Sequence, residues 1–168
     1  IEATQKIVEA IKINFGFIHA EYIIDNNLNK PFLIEIANRG GGVHISNKIL
    51  PKITGIDLQK KYIELAMGNS VKIVWDGKYV SKALMYFINP GGNKDPKELT
   101  KKYPSNILAF WMKDKKFLKD IKSLGALGRA GMVILSGDEF EVLENIGKEI
   151  EKKIGFINYE YYWGGDNK

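Results

Sequence analysis

The chain carries 168 residues, 45% hydrophobic and 27% charged, with a formal net charge of +5. That is the composition of an ordinary globular protein, with length for one domain or one lobe with a small appendage. Cysteine is absent and only His19 and His44 supply imidazole, which excludes disulfides, thiolate metal sites and a zinc site of the usual His and Cys type.

No apolar run approaches the ~18 residues of a membrane span, and no charged-then-apolar leader opens the sequence. No membrane partner is expected, and the expected setting is the cytoplasm. From Ile1 to Ile13, Ala3, Ile7 and Ile11 recur at spacing four, flanked by Val8 and Ala10, while Glu2, Lys6, Glu9 and Lys12 stay polar. This pattern predicts an amphipathic helix, ended by Asn14 and Gly16.

Phe17 to His44 reads as a β-hairpin. Its arms are apolar and β-branched, and the connection from Asp25 to Lys30 is a cluster of turn formers closed by Pro31. Side chains alternate along a strand, so His19, Glu21 and Ile23 share one face of the first arm, and Leu33, Glu35 and Ala37 one face of the second. If the hairpin is centred on Leu28, Glu21 lies opposite Glu35 and both carboxylates project from the same face. A register slipped by one residue would send them to opposite faces. Like charges directly opposed on a sheet are destabilising by up to ~1 kcal/mol, so the pair needs either solvent or a cation. A hard divalent ion such as Mg²⁺ suits two carboxylates, since it fills its other positions with water and phosphate. The second arm runs into Asn38, Arg39, Gly40, Gly41 and Gly42, where bare backbone and a planar guanidinium suit phosphate or carboxylate oxygens. His44 falls at the mouth of this site, either touching substrate or making a local hydrogen bond.

Ile45, Ile49, Leu50 and Ile53 follow, with Pro51 breaking any long helix. Thr54 to Asp57 open a second helix through Met67, with Leu58, Tyr62, Leu65 and Ala66 as its apolar stripe and Gly68 as its stop. VKIVW, the turn Asp76 and Gly77, and KYVSKALMYFI predict a second hairpin. Lys94 to Pro104 is polar and without a predicted element, Ile107 to Met112 reads as a buried strand, and Met132 to Leu135 as another. LGALGRAG, residues 124–131, lacks the G-x-G-x-x-G spacing of a dinucleotide fingerprint. Ser136 to Asp138 cap a helix reaching about Ile154, with Phe140, Leu143, Ile146, Gly147 and Ile150 on one face. The closing YEYYWGGDNK is expected to lay its aromatics on the fold and to end in mobile residues.

Several of these motifs resemble the C-terminal half of the ATP-grasp domain: HAEYII, a short turn, PFLIEIANRGGGVHIS, then TGIDL and ELAMG. Arg129 to Ile134 are likewise similar to that family's R-A-G-x-V-I strand. In the family a strand Glu and a second Glu, in an E-x-N-x-R or E-x-A-x-R context, hold the magnesium ions bound to ATP. By this resemblance Glu21 is the first metal-binding Glu, Glu35 the second, and Arg39 the arginine that binds the transferred phosphate or the acyl phosphate. Gly40, Gly41, Gly42 and His44 then fall at the nucleotide. Where many members have Asn two residues after the second Glu, this chain has Ala37. Asn38, the remaining candidate for a third metal ligand, stands one place further on, at the parity of the other face. Alanine at this place resembles the branch that includes L-amino-acid ligases, and the motifs are also similar to carbamoyl-phosphate-synthase-like members.

The resemblance implies an α+β fold, the C-terminal lobe of an ATP-grasp domain with an antiparallel sheet flanked by helices. Residues 1–70 would be its core with the metal-binding hairpin, and 71–168 an extension of the same lobe. It implies ATP and Mg²⁺ or Mn²⁺ as cofactors, a small carboxylate activated as an acyl phosphate, and an amine as acceptor. It also implies a further partner, the N-terminal ATP-grasp lobe in cis or in trans, without which the chain is expected to be inactive. The alternative is a non-enzymatic module using the segment 94–122, where nine lysines face four acids with aromatics interleaved, to contact nucleic acid or an acidic partner. With arginine nearly absent from the chain, a solvated surface is the first reading and nucleic acid is not the expected partner.

Overall fold

The computed structural model describes residues 2–88, 97–113, 129–154 and 157–164. They form two compact units, one of residues 1–47 with 57–73 and one of residues 48–56 with 74–168. Among the described residues no helix is long and apolar enough to cross a membrane.

In the first unit, α1 (Glu2–Ala10) is the expected amphipathic helix, cut short by Lys12, which takes a left-handed φ of 56°. Thr4 Oγ1 lies 2.9 Å from the Tyr22 hydroxyl, tying α1 to the hairpin. The hairpin is β1 (His19–Asp25) and β2 (Lys30–Ala37). Its turn is set by Asp25, whose Oδ1 accepts from Asn27 N at 2.8 Å and Leu28 N at 3.0 Å, and by Asn29 at a left-handed φ of 48°.

From that turn the register pairs Asp25 with Lys30, Ile23 with Phe32 and Tyr22 with Leu33. Continued unbroken, it would set Glu21 against Ile34 and send Glu35 to the other face. A β-bulge between Glu21 and Tyr22 takes up Ile34 as the extra residue, and Glu21 then pairs with Glu35. The expected opposition is therefore met, by a bulge instead of a uniform register centred on Leu28. The helix α3 (Leu58–Ala66) is capped by Asp57, which accepts from Lys60 N at 2.9 Å, and is stopped at Gly68 with φ 83°. The Tyr62 ring of α3 meets those of Phe17 and Phe15, with centroids at 4.8 and 6.0 Å.

The second unit is a four-stranded antiparallel sheet in the order β4 (Ile107–Met112), β5 (Gly131–Gly137), β3 (Lys82–Ile88), β6 (Ile157–Trp163). One face presents Leu84, Tyr86 and Ile88 of β3 with Val133 and Leu135 of β5. These pack against Leu143, Ile146, Ile150 and Ile154 of α5 (Phe140–Ile154) and Leu99 of α4 (Lys97–Lys102). All ten are buried, so this is the core. Gly147 lets α5 approach closely, since a Cβ there would fall on the Tyr86 ring. On the sheet's other face Ala83, Met85, Phe87, Met132 and Ile134 are also buried, and the Arg129 guanidinium lies over the Phe87 ring, 3.6 Å from its centroid.

Four expectations are corrected. VKIVW forms no strand, because β3 already pairs with β5 on one side and β6 on the other and has no free edge to offer it. Its Asp-Gly turn persists alone, with Asp76 Oδ1 accepting from Lys78 N at 3.0 Å. The terminal aromatic run, for which the sequence suggests no element, is the strand β6, hydrogen-bonded along β3. Pro51 does not break the chain out of helix: a π-turn (Ile45–Ile49) leads into α2 (Leu50–Thr54), and Pro51 sits in the first turn of α2, where its missing N–H costs least. Lys97–Lys102 is helical, and Lys102 Nζ lies 2.6 Å from Glu149. That hydrogen bond, then one from the Tyr103 hydroxyl and one from Lys153, lowers the Glu149 pKa from its ordinary 4.5 to about 2. Residues 94–96 and 114–122 of the lysine-rich segment, 124–128 of LGALGRAG, and the terminal 165–168 lie outside the described residues.

Candidate functional site

At the bulge, β1 and β2 deliver Glu21 and Glu35 side by side on one face, and both side chains stay more than half exposed. Among the described residues each carboxylate has one cationic or N–H partner. Arg39 Nη2 lies 3.6 Å from Glu35 Oε1, and Arg39 Nη1 donates to Gly40 O at 2.9 Å, which turns the guanidinium back along the loop. His19 Nε2 lies 3.1 Å from Glu21 Oε1. The structure therefore joins Glu21, Glu35 and Arg39 and adds His19. Strand alternation places His19 on the face of Glu21, but nothing in the sequence assigns it a role. The signal was the H-x-E spacing itself, since residues two apart on a strand project together.

The glycine loop is built otherwise than composition suggests. None of Gly40, Gly41 and Gly42 has a left-handed φ; that conformation falls to Val43 at 45° and His44 at 63°. For a β-branched valine this costs on the order of 1–2 kcal/mol. Ile45 N donates to Gly42 O at 3.0 Å and closes the turn. Gly40 is required by packing, since an added Cβ would stand 2.6 Å from Ser46 Oγ; at Gly41 an added Cβ would be tight but not excluded, 3.1 Å from Ile45 and 3.2 Å from His19 Nδ1. Around Gly42 nothing among the described residues lies within 4 Å of the added Cβ, so the space beside its Cα is open.

Asn38 and His44 are engaged locally. Asn38 Nδ2 donates to Phe15 O at 3.2 Å, fastening the segment before β1, and His44 Nδ1 lies 3.1 Å from Asn47 Oδ1. Among the described residues no group of three or more His, Asp or Glu side chains converges as a complete metal cage. A cavity of about 380 Å³ opens in the same unit beside Arg39 and Gly40, walled by Phe17, Asn38, Ser46 and Tyr62. The arrangement offers carboxylate oxygens, a guanidinium fork, open space beside Gly42 and an adjoining half-apolar hollow.

No family model matches the sequence, and no curated protein sequence matches it. The structure is similar to the crystal structure of an L-amino acid ligase from Bacillus licheniformis, with a TM-score of 0.71 and 22% identity over 94% of this chain. The chain spans 40% of the length of that protein. The likeness shows the fold, an ATP-grasp-like α+β arrangement of antiparallel sheets flanked by helices.

Proposed function

We propose that this chain supplies the cation- and phosphate-binding hairpin of an ATP-dependent carboxylate–amine ligase, acting with an N-terminal ATP-binding lobe in cis or in trans. The observation that carries this reading is the bulged register that opposes Glu21 to Glu35 beside Arg39. The donor set suits Mg²⁺ or Mn²⁺. Two exposed carboxylates repel each other on one face, and each keeps its Oε2 outside the contacts made by Oε1. Two protein carboxylates are a common complement for Mg²⁺ when a nucleotide and water complete its shell.

In the reaction, a carboxylate oxygen attacks the γ-phosphorus of ATP, the bond to the bridging oxygen breaks, and ADP leaves. An amine then attacks the acyl carbon, releasing phosphate and a proton. Phosphoryl transfer depends chiefly on positioning and on neutralising charge, which a cation held by Glu21 and Glu35 would supply when bound. Arg39 would bind the carboxylate and the transferring phosphoryl oxygens through its guanidinium N–H groups, and the amide at Gly42 would be available to a phosphate oxygen. No nucleophilic side chain is needed.

Calorimetric titration of ATP with Mg²⁺ into this chain tests the reading. Weak, cation-dependent binding is expected, lost in Glu21→Gln and Glu35→Gln, reduced in Arg39→Ala, and accompanied by no turnover. Binding that needs no cation and ignores all three substitutions would overturn it.

A further inference from the structure

His19 is the least exposed of the four charged or polar side chains at the hairpin's carboxylate face, 23% exposed against 58% for its neighbour Glu21. Nε2 lies 3.1 Å from Glu21 Oε1, and the Nδ1 edge faces the glycine loop, where a Cβ added at Gly41 would stand 3.2 Å from it. An ionised carboxylate can only accept, so Nε2 carries the proton and donates it toward Glu21. The mostly buried ring thus holds an exposed, three-torsion glutamate that would otherwise sample many rotamers.

We propose that His19 is a positioning residue: its Nε2–H fixes the Glu21 carboxylate in the orientation in which Glu21 and Glu35 share one divalent cation. This rests on the assignment of those two glutamates as the cation site. The hydrogen bond uses Oε1 and leaves Oε2 for the cation, as the Arg39 contact does at Glu35. Outer hydrogen-bond partners of ligating carboxylates act in this way, and their removal costs about 10–100-fold in metal affinity.

The test is a titration of the 168-residue chain with Mn²⁺ alone, read by water-proton relaxation, in wild type, His19→Ala, His19→Gln and Glu35→Gln. His19→Ala is expected to weaken binding about 10-fold. His19→Gln, whose amide N–H reaches about as far as Nε2, is expected to recover most of the loss, a rescue that a space-filling role would not produce. Glu35→Gln is expected to abolish binding. If Glu35→Gln abolishes binding while His19→Ala leaves it unchanged, the positioning role is overturned and the cation site stands. If His19→Gln binds as poorly as His19→Ala, the ring acts by packing and the proposal also falls. Mn²⁺ binding indifferent to Glu35→Gln would remove the cation site, and this role with it.

Discussion

Replacing the three loop glycines by alanine, one at a time, separates what packing requires from what a ligand requires. Position 40 has no room, because the new Cβ would lie 2.6 Å from Ser46 Oγ and 2.9 Å from Ser46 Cβ. The Ser46 hydroxyl, which donates to Gly41 O across 3.4 Å, would have to yield. Overpacking of this kind costs ~1–3 kcal/mol, and the long hydrogen bond adds less than ~1 kcal/mol. Gly40→Ala should therefore destabilise the first unit by ~1–3 kcal/mol. At position 41 the nearest atoms are 3.1–3.2 Å away and need shift only by a few tenths of an ångström, so the cost should stay below ~1 kcal/mol. At position 42 nothing lies within 4 Å, and the effect should fall within about 0.5 kcal/mol of zero. Hydrogen exchange of the β1, β2 and α3 amides is the appropriate assay, since it reports the opening of this unit separately from the second. Nucleotide binding with Mg²⁺ should break the stability order. Gly42→Ala, nearly silent in stability, should weaken it most, because its methyl would occupy the space where backbone meets phosphate oxygens. Equal destabilisation at positions 40 and 42, or unaltered binding in Gly42→Ala, would refute this reasoning.

Three further outcomes follow from the packing and the ion pairs. Gly147→Ala in α5 should destabilise the second unit by about 1 kcal/mol in urea unfolding: overpacking against the Tyr86 ring outweighs the ~1 kcal/mol that alanine gains over glycine in a helix. Asp57→Ala removes the side chain that caps α3 and should cost ~0.5–2 kcal/mol, visible as faster exchange in the first turn of that helix. Glu149 is held at a pKa of about 2, below its ordinary 4.5, so its contribution is complete above pH 4.5 and is lost as pH falls toward 2. Glu149→Gln should thus be less stable than wild type near neutrality, with the gap closing through that acid window in denaturation curves at stepped pH.

Local patterns in the sequence carried much of this fold. The face of α5 was legible because Leu143, Ile146, Gly147 and Ile150 repeat at helical spacing within one short segment, and the order of β1 and β2 because a dense cluster of turn formers joins them. The elements missed depend on partners far along the chain. Whether VKIVW or YEYYW became a strand turned on which of them reached the single remaining edge of β3, a competition that neither segment's composition decides. The helix Lys97–Lys102 owes much to Lys102 and Tyr103 binding Glu149, 46 or more residues away. At the site, alternation placed His19 with Glu21 and Glu35 on a shared parity with Ala37, but the bulge at Ile34 is invisible in composition. The same sequence paired without it would face the two acids apart.

Where a divalent cation settles on this chain is the most direct test. Trace Mn²⁺ added to the ¹⁵N-labelled protein broadens amide resonances in steep proportion to their closeness to the ion. The strongest broadening should fall on residues 19–23 and 33–41 and should vanish in the Glu21→Gln, Glu35→Gln double variant. Broadening centred on another part of the chain, or persisting unchanged in that variant, would contradict the cation site and the ligase reading built on it.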